Sequence, residues 1–432
     1  MVNAVLDFIY NLIVGLFPLV GVIVIGRLAW AWWVHYIQQD FISGIDFILL
    51  EIIPPRDVLR SPKAMELFLT NALYHHSWKG GKEEYWQGAV WFWFSLEIAS
   101  IDGQVHFYIR TPSRVRGLIE TQMYAQYPQA QIKEVEDYTL AIDEISPKSA
   151  WNGWGCEFQL EKPEAYPLKT YVNFGLDKDP KEEFKVDPVS SVVELFGSLK
   201  KGEQMWMQIV ITPSKRAYHT HGTWFGYHDW VEEAKQEMMK LLRLYRRTNE
   251  DKAHPGHFTY EFRTPDFLKN SVTMMSAKTA KLGFEAGVRV FYGAKKEVFD
   301  MSSRRNLRLI FRQYAMPDCN QLMRKNSTQA DAYGGIFLAS KETIMLLADR
   351  MLNEFRERSF FHESLRQIII SKHTIPWPFS TLVFPVYFHP LTFVLNVEEI
   401  ATMWHFPGQI LKVPTLERIE SKEASPPTNL PM

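Results

Sequence analysis

The chain has 432 residues, of which 46% are hydrophobic and 22% charged, and its formal net charge is −1. This composition excludes a disordered chain, and the charge excludes a protein that binds nucleic acid through its overall field. Two cysteines, Cys156 and Cys319, are too few for a disulfide framework or a Cys-rich zinc site.

The first predicted element is an apolar segment, Phe8 to Gly26, interrupted only by Asn11. At about 1.5 Å per residue it is long enough to cross a hydrocarbon core of about 30 Å. The alternatives are a buried core helix and a cleaved signal peptide, although no positive charge precedes the segment. Arg27 follows, with aromatic residues typical of a membrane interface: Trp30, Trp32, Trp33 and Tyr36. We expect residues 1–40 to form a single-pass anchor in the cell membrane, with the N-terminus outside and the body in the cytoplasm.

A first α+β unit is predicted over residues 41–145. Asp102-Gly103 is a hairpin signal, because both turn positions favour a positive φ. Strands are predicted at Ile45–Ile53, Val90–Ser100, Val105–Ile109 and Ala130–Val135, and helices after Ser61-Pro62 and Thr111-Pro112-Ser113. This β-α-β-β-α-β order is that of a ferredoxin-like (split βαβ) unit.

A second unit, over residues 146–298, is predicted to repeat this order. Its helix begins at Asp187-Pro188, and its strands are predicted at Met205–Ile211, Phe258–Arg263 and Phe284–Tyr292. An insertion, 212–257, carries a helix over Asp229–Arg247. Arg-Thr-Pro follows a strand in both units, which indicates either a tandem duplication or chance, because Thr-Pro is a common helix start.

Residues 299–410 predict a helical and aromatic-rich region, followed by a Pro-rich linker or tail at 411–432. The predicted fold class is therefore α+β, with an N-terminal transmembrane helix, two tandem ferredoxin-like units and a helical C-terminal region.

Motifs for common catalysis are missing from the sequence. It has no Gly-rich loop ending in Gly-Lys-Ser/Thr, no G-x-S-x-G, no H-E-x-x-H and no paired C-x-x-C. We therefore predict a chain that is not an enzyme and that needs no cofactor. His219, His221 and His228 in the insertion are weak candidates for a metal site, since His-x-His on a strand places two imidazoles on one face. A polar aromatic loop is the alternative reading.

Three arginines, Arg305, Arg308 and Arg312, share one face of a predicted helix and are candidates for contact with the phosphates of nucleic acid or lipid. The alternative is a solvated helix face with acidic neighbours.

The C-terminal residues resemble a known family. The segment runs Glu398-Glu399-Ile-Ala-Thr-Met-Trp-His405-Phe-Pro407, followed by Lys412-Val-Pro-Thr-Leu and Pro426-Pro-Thr-Asn-Leu-Pro431. It is similar to the segment before the motor domain in membrane-anchored ATPases of type IV secretion and conjugative transfer (TraG-like, HerA-like). This resemblance implies that Glu398, Glu399, His405 and Pro407 form the junction with a motor.

The chain ends at Met432, where the P-loop domain of those ATPases would begin, so none of their catalytic residues can be assigned here. The resemblance implies a membrane-anchored, non-catalytic component of a DNA-translocation ATPase, which tethers and assembles the motor. Its expected partners are the lipid bilayer, a separate P-loop ATPase subunit, DNA and further copies of itself. A membrane scaffold unrelated to translocation and a membrane-bound metal-dependent enzyme are the alternative functions.

Overall fold

The computed structural model describes 32–55, 60–74, 81–178, 186–214, 218–219, 227–244, 246–250, 258–262, 265–328, 341–358, 360–361 and 392–408, with isolated positions between 15 and 30. The chain divides into two compact units. An N-terminal unit comprises 1–46, 77–91 and 362–387, and a sheet unit comprises 47–76, 92–361 and 388–432.

Nine strands of the sheet unit form one antiparallel sheet. In chain order, the strands of the main sheet and of two smaller sheets are β1 (Phe47–Ile53), β2 (Phe94–Ile101), β3 (Gln104–Pro112), β4 (Gln131–Val135), β5 (Trp151–Leu160), β6 (Glu203–Pro213), β7 (Tyr218–His219), β8 (Tyr227–His228), β9 (Arg246–Glu250), β10 (Phe258–Phe262), β11 (Gly283–Lys295), β12 (Leu322–Ser327) and β13 (Phe393–Asn396). The sheet order is β12-β5-β11-β6-β2-β3-β1-β4, and β13 pairs with the beginning of β11. β7–β8 and β9–β10 form two separate two-stranded sheets.

The helices are α1 (Lys63–Phe68, continued by a π turn at Leu69–Leu73), α2 (Gly81–Trp86), α3 (Arg116–Gln126), α4 (Pro188–Gly197), α5 (Trp230–Leu244), α6 (Asp266–Thr279), α7 (Met301–Leu309), α8 (Lys341–Glu357) and α9 (Val397–Met403). Several begin as their sequences indicate. Asp187 accepts a hydrogen bond from the backbone N–H of Val189 at the start of α4, and Asp229 caps α5 in the same way.

The sheet has two halves with the same strand order. In the first, β1-α1-β2-β3-α3-β4 gives the spatial order β4-β1-β3-β2, and in the second, β5-α4-β6-β11-α7-β12 gives β12-β5-β11-β6. Both have the arrangement of a split βαβ motif. The halves meet where β2 pairs antiparallel with β6, from Phe94 opposite Ile211 to Ile101 opposite Gln204. We call this junction the seam. The pairing satisfies backbone groups that would be exposed at two sheet edges if the halves were separate.

This architecture corrects the predicted fold in three respects. The two predicted ferredoxin-like units follow one another along the chain, but they are not separate bodies, because their strands form one continuous sheet. The predicted strand Phe258–Arg263 is not in that sheet: β10 pairs with β9, and β11 takes the third position of the second half. The region 299–410 is not simply helical, because β12 and β13 join the sheet. Alternation of apolar and polar residues predicts a strand, but it does not specify which strand is the neighbour.

The two faces of the sheet differ in polarity. On one face, α1, α3, α4, α7 and α9 cover a continuous apolar core that includes Leu96, Phe107, Met207 and Val290. The other face carries α8, and glycines make room for it: a Cβ on Gly155 of β5 would lie 2.6 Å from Cγ of Met351 on that helix.

In the N-terminal unit, residues 32–43 are helical. The Trp33 indole N–H donates to the carbonyl of Tyr85 at 3.2 Å, and its ring lies 6.2 Å from that of Trp86 on α2. Gly88 has a φ of +66°, and a Cβ there would lie 2.1 Å from the carbonyl oxygen of Ile37, so the turn requires glycine.

The predicted transmembrane anchor, and with it the single-pass membrane location, is contradicted. Within the described part of the chain, no helix is both long enough and apolar enough to cross a bilayer. Much of the segment Phe8–Gly26 lies outside the described residues.

Candidate functional site

The predicted motor junction corresponds to α9, which we call the junction helix. It begins with a capping box: the Asn396 side chain accepts from the backbone N–H of Glu399, and the Glu399 carboxylate accepts from that of Asn396. This reciprocal pair satisfies two donors that a helix start leaves free. The Trp404 indole N–H donates to the carbonyl of Glu97 on β2 at 3.2 Å. The junction helix therefore packs against the sheet close to the seam.

Glu399 also forms a fully buried ion pair. Its carboxylate lies 3.1 Å from Nζ of Lys278 on α6, and both side chains have no exposed surface. Glu399 accepts a further hydrogen bond from the backbone N–H of Leu168, and Lys278 donates to the carbonyl of Val394. These extra hydrogen bonds matter because a buried ion pair offsets its desolvation only when the remaining polar valences are satisfied.

Glu398 is part of a second ionic cluster. Nζ of Lys281 lies 2.5 Å from the Glu398 carboxylate and 2.8 Å from that of Glu66 on α1, and the Tyr171 hydroxyl donates to Glu66 at 2.6 Å. Burial alone would lower the pKa of Lys281, but the two carboxylates hydrogen-bonded to it raise the pKa above its ordinary value. Lys281 therefore keeps its positive charge between the two carboxylates at neutral pH.

His405 and Pro407 hold the end of the junction helix. Nε2 of His405 lies 3.1 Å from Oδ1 of Asp187, and Nδ1 lies 2.9 Å from the carbonyl of Ala401. Burial would raise the pKa of Asp187, but the His405 ring and backbone hydrogen bonds hold it below its usual value. Pro407 is also buried. Of the four predicted junction residues, only Glu398 is partly exposed; contact with a partner stays a prediction for all four.

The sequence did not identify the partners of these residues: Glu66, Asp187, Lys278 and Lys281. The sequence indicated Asp187 as a helix cap, but its hydrogen bond with His405 joins residues 218 positions apart. No local pattern indicates such a pair.

A row of polar residues crosses the α8 face of the sheet, and it was not predicted from the sequence. We call it the polar row. Cross-strand pairing places the following residues side by side: Lys133, Glu51, Tyr108, Glu97, Gln208, Arg289 and Glu157. At its centre, Arg358 donates from two nitrogens to Glu97, at 2.8 and 3.1 Å, and also binds Asp137. Arg289 lies 3.0 Å from Glu157.

The chemistry of this row is that of internal pairing. Glu97, Glu157, Arg289 and Arg358 are all buried, and each of the two acids accepts from a guanidinium. Burial raises the pKa of Glu157 although Arg289 opposes this rise. A signal for the row exists in the sequence, since a single polar residue interrupts the apolar middle of β2, β6 and β11.

The predicted arginine face lies on α7 and the turn that follows it. Arg305 and Arg312 are exposed and Arg308 is half-buried. Arg304, Arg305 and Arg308 line a pocket of about 170 Å³ together with Trp154 of β5. The structure therefore places two of the three predicted arginines at one concave site.

The histidine candidates are only partly described. The backbones of His219 and His228 lie in the paired strands β7 and β8, and His221 lies outside the described residues. Among the residues that the structure describes, no group of three His, Cys, Asp or Glu side chains could hold a metal ion.

Comparison with known proteins assigns the chain to a family. The model of a domain of unknown function, DUF8128, matches residues 62–371, which is most of the chain, and the chain belongs to this family. Neither the curated proteins nor the solved structures include a match to the chain.

Proposed function

We propose that this member of the DUF8128 family is a non-catalytic component of a DNA-translocation ATPase of the type IV secretion and conjugation group. In this proposal it assembles a P-loop motor that a separate chain supplies. The resemblance of residues 395–431 to the segment before such motors is the sequence argument.

The observation that carries the proposal is the way the junction helix is held. Ion pairs connect it to Lys278 on α6 and to Lys281 with Glu66 on α1, and a hydrogen bond from His405 connects it to Asp187 at the start of α4. Glu66 belongs to the first half of the sheet unit and Asp187 to the second. A force applied to the chain after Pro407 would therefore reach both halves, as a rigid mount for a motor requires.

The test begins with the full chain, tagged and purified from its source cells after cross-linking. We expect a P-loop ATPase among the bound proteins, and we expect DNA to stimulate the rate at which this ATPase hydrolyses ATP. Deleting residues 409–432 should abolish this association without changing the melting temperature. A chain in which only residues 409–432 are placed in scrambled order is the control matched in length and composition. It should also fail to bind the ATPase.

Recovery of no P-loop ATPase with the full chain would contradict the proposal. Equal recovery with the deleted chain would also contradict it, because the motor would then attach elsewhere. Stable association with other proteins, but with no ATPase, would favour a scaffold unrelated to translocation.

A further inference from the structure

The basic pocket at α7 stands out against the charge of the whole chain. Residues 295–325 contain eight Lys or Arg and three Asp or Glu, whereas the chain has a net charge of −1. Such a local excess attracts anions even though the molecule as a whole does not. The question is whether the surface is a site built for an anion or an ordinary solvated helix face.

The surroundings of Arg305 and Arg308 differ from those of an ordinary charged helix face, and this difference favours a built site. An ordinary charged helix face carries acids one turn away, as on α5, where Lys235 pairs with Glu232 and Lys240 with Glu237. Within the part of the chain that the structure describes, Arg305 and Arg308 form no such pair. Two guanidinium groups therefore reach one pocket with their charge uncompensated.

Trp154 provides a second and independent observation. It lines the same pocket, is only 2% exposed, and its indole N–H has no hydrogen-bond partner among the described residues. A buried donor without a partner costs about 1–3 kcal/mol, so an acceptor that reached this indole N–H would be stabilising. An anion in the pocket would offer oxygen atoms to this donor and to the arginines together.

The length of the arginine row indicates what kind of anion would fit this surface. Arg305 and Arg312 are seven residues apart, which is about 10–12 Å along a helix that tightens in its last turn. Arg312 therefore lies beyond a ligand that fills the pocket. A chain of phosphates would contact the pocket and Arg312 at once, and arginine is the residue best suited to bind phosphate with two parallel hydrogen bonds.

We propose that α7, Arg312 and Trp154 form a binding site for the sugar–phosphate backbone of nucleic acid, with one phosphate in the pocket lined by Arg305 and Arg308. This inference does not rest on the partnership with an ATPase, because a chain without a motor can bind DNA.

The experiment measures binding of a fluorescently labelled single-stranded oligonucleotide to the purified full chain over a series of salt concentrations. We expect Arg305→Ala/Arg308→Ala to weaken binding at least tenfold. The slope of log affinity against log salt should become shallower by about 0.7, since both arginines contact the one phosphate in the pocket and each single-strand phosphate contact contributes about 0.7. Lys235→Ala/Lys240→Ala, which removes the same charge from the exposed face of α5, is the control and should bind within about twofold of the original chain.

Trp154→Phe tests the pocket itself, because it removes the indole N–H but keeps a large buried ring. We expect weaker binding of the oligonucleotide with an unchanged salt slope, since no charge is lost. Thermal melting of every variant shows that it is folded.

Four results would overturn the proposal. Unchanged affinity of the double arginine variant would exclude the site, and an equal loss in the α5 control would reduce it to non-specific attraction. Unchanged affinity of Trp154→Phe for the oligonucleotide would show that no phosphate binds in the pocket beside the indole. Arginine-dependent binding to vesicles that contain phosphatidylglycerol, without binding to the oligonucleotide, would assign the surface to lipid instead.

Discussion

Arg358 shows how far a single residue can differ from its appearance in sequence. It follows the charged last turn of α8, where the sequence looks solvent-exposed, yet its side chain is completely buried. Its backbone is left-handed, with a φ of +51°, which is uncommon for a residue other than glycine. This turn directs the guanidinium to Glu97 and Asp137. The cost of the conformation is offset by hydrogen bonds that leave neither buried charge unpaired.

Replacing Arg358 with Met should therefore be strongly destabilising. It leaves the buried Glu97 carboxylate without its guanidinium partner, and we expect the free energy of unfolding to fall by about 3–5 kcal/mol, measured by chemical denaturation. Arg243→Met on the exposed surface of α5 is the matched control and should change it by less than about 0.5 kcal/mol. The double variant Glu97→Met/Arg358→Met should recover part of the loss. A cost below about 1 kcal/mol for Arg358→Met would show that the pair is not essential to the fold.

At the scale of elements, the approach of α8 to the sheet depends on glycines in β5 and β11. A Cβ at Gly155 would also lie 2.9 Å from the carbonyl oxygen of Val290, and a Cβ at Gly287 would lie 2.3 Å from the Phe360 ring. Phe360 in turn lies against the guanidinium of Arg289, 3.8 Å from the ring centroid. The small residues of these strands therefore bring α8 and the segment after it onto the polar row.

Two glycine substitutions with opposite expected signs test this packing. Gly155→Ala should lower the free energy of unfolding by about 1–3 kcal/mol, because Met351 and the backbone must move. Gly117→Ala on α3 meets no atom within 4 Å and should raise it by about 0.5–1 kcal/mol, since alanine loses less entropy in a helix. Chemical denaturation of both variants gives the comparison. A stabilising Gly155→Ala would mean that α8 is held less closely than the structure shows.

Over the whole molecule, stability in acid depends on carboxylates in both halves of the sheet unit. Burial would raise the pKa of Asp137, but hydrogen bonding to Arg358 and its charge hold that pKa below the usual value, as His405 does for Asp187. A carboxylate with a lowered native pKa adds stability that is fully present above the unfolded-state pKa, about 3.9. That stability is lost as pH falls through the native pKa.

We accordingly expect the free energy of unfolding to fall steeply below about pH 4, and Asp187→Asn to make this fall shallower. Asparagine is also a good helix cap, so the variant keeps the start of α4 while removing the charge beside His405. At pH 7 it should cost about 1–3 kcal/mol, the range for hydrogen bonds to charged groups. Denaturation curves from pH 7 to pH 3 measure both quantities. A difference between variant and original that stays constant over this range would exclude the proposed linkage.

Local features were largely predictable because they depend on neighbouring residues. The Asp102-Gly103 turn has positive φ at both positions, and Asn396 with Glu398 and Glu399 begins a helix as its sequence indicates. The choice of sheet neighbours was not predictable: β10 has a strand pattern like that of β11, but only β11 enters the main sheet. The apolar segment Phe8–Gly26 predicted a membrane helix from hydropathy alone, and the described helices do not include one.

The candidate sites divide in the same way. The sequence by itself determined the caps and turns, the α+β character and the placement of Arg305 and Arg308 on one helix, since each depends on a few consecutive residues and on the periods of helix and strand. Only the tertiary structure decided that Trp154 shares a pocket with Arg305 and Arg308, that Asp187 holds His405, and that β2 and β6 join two halves into one sheet. These pairings join residues about a hundred or more positions apart. They are selected by the cost of leaving a sheet edge, a donor or a charge unsatisfied in the folded chain, which no short stretch of sequence records.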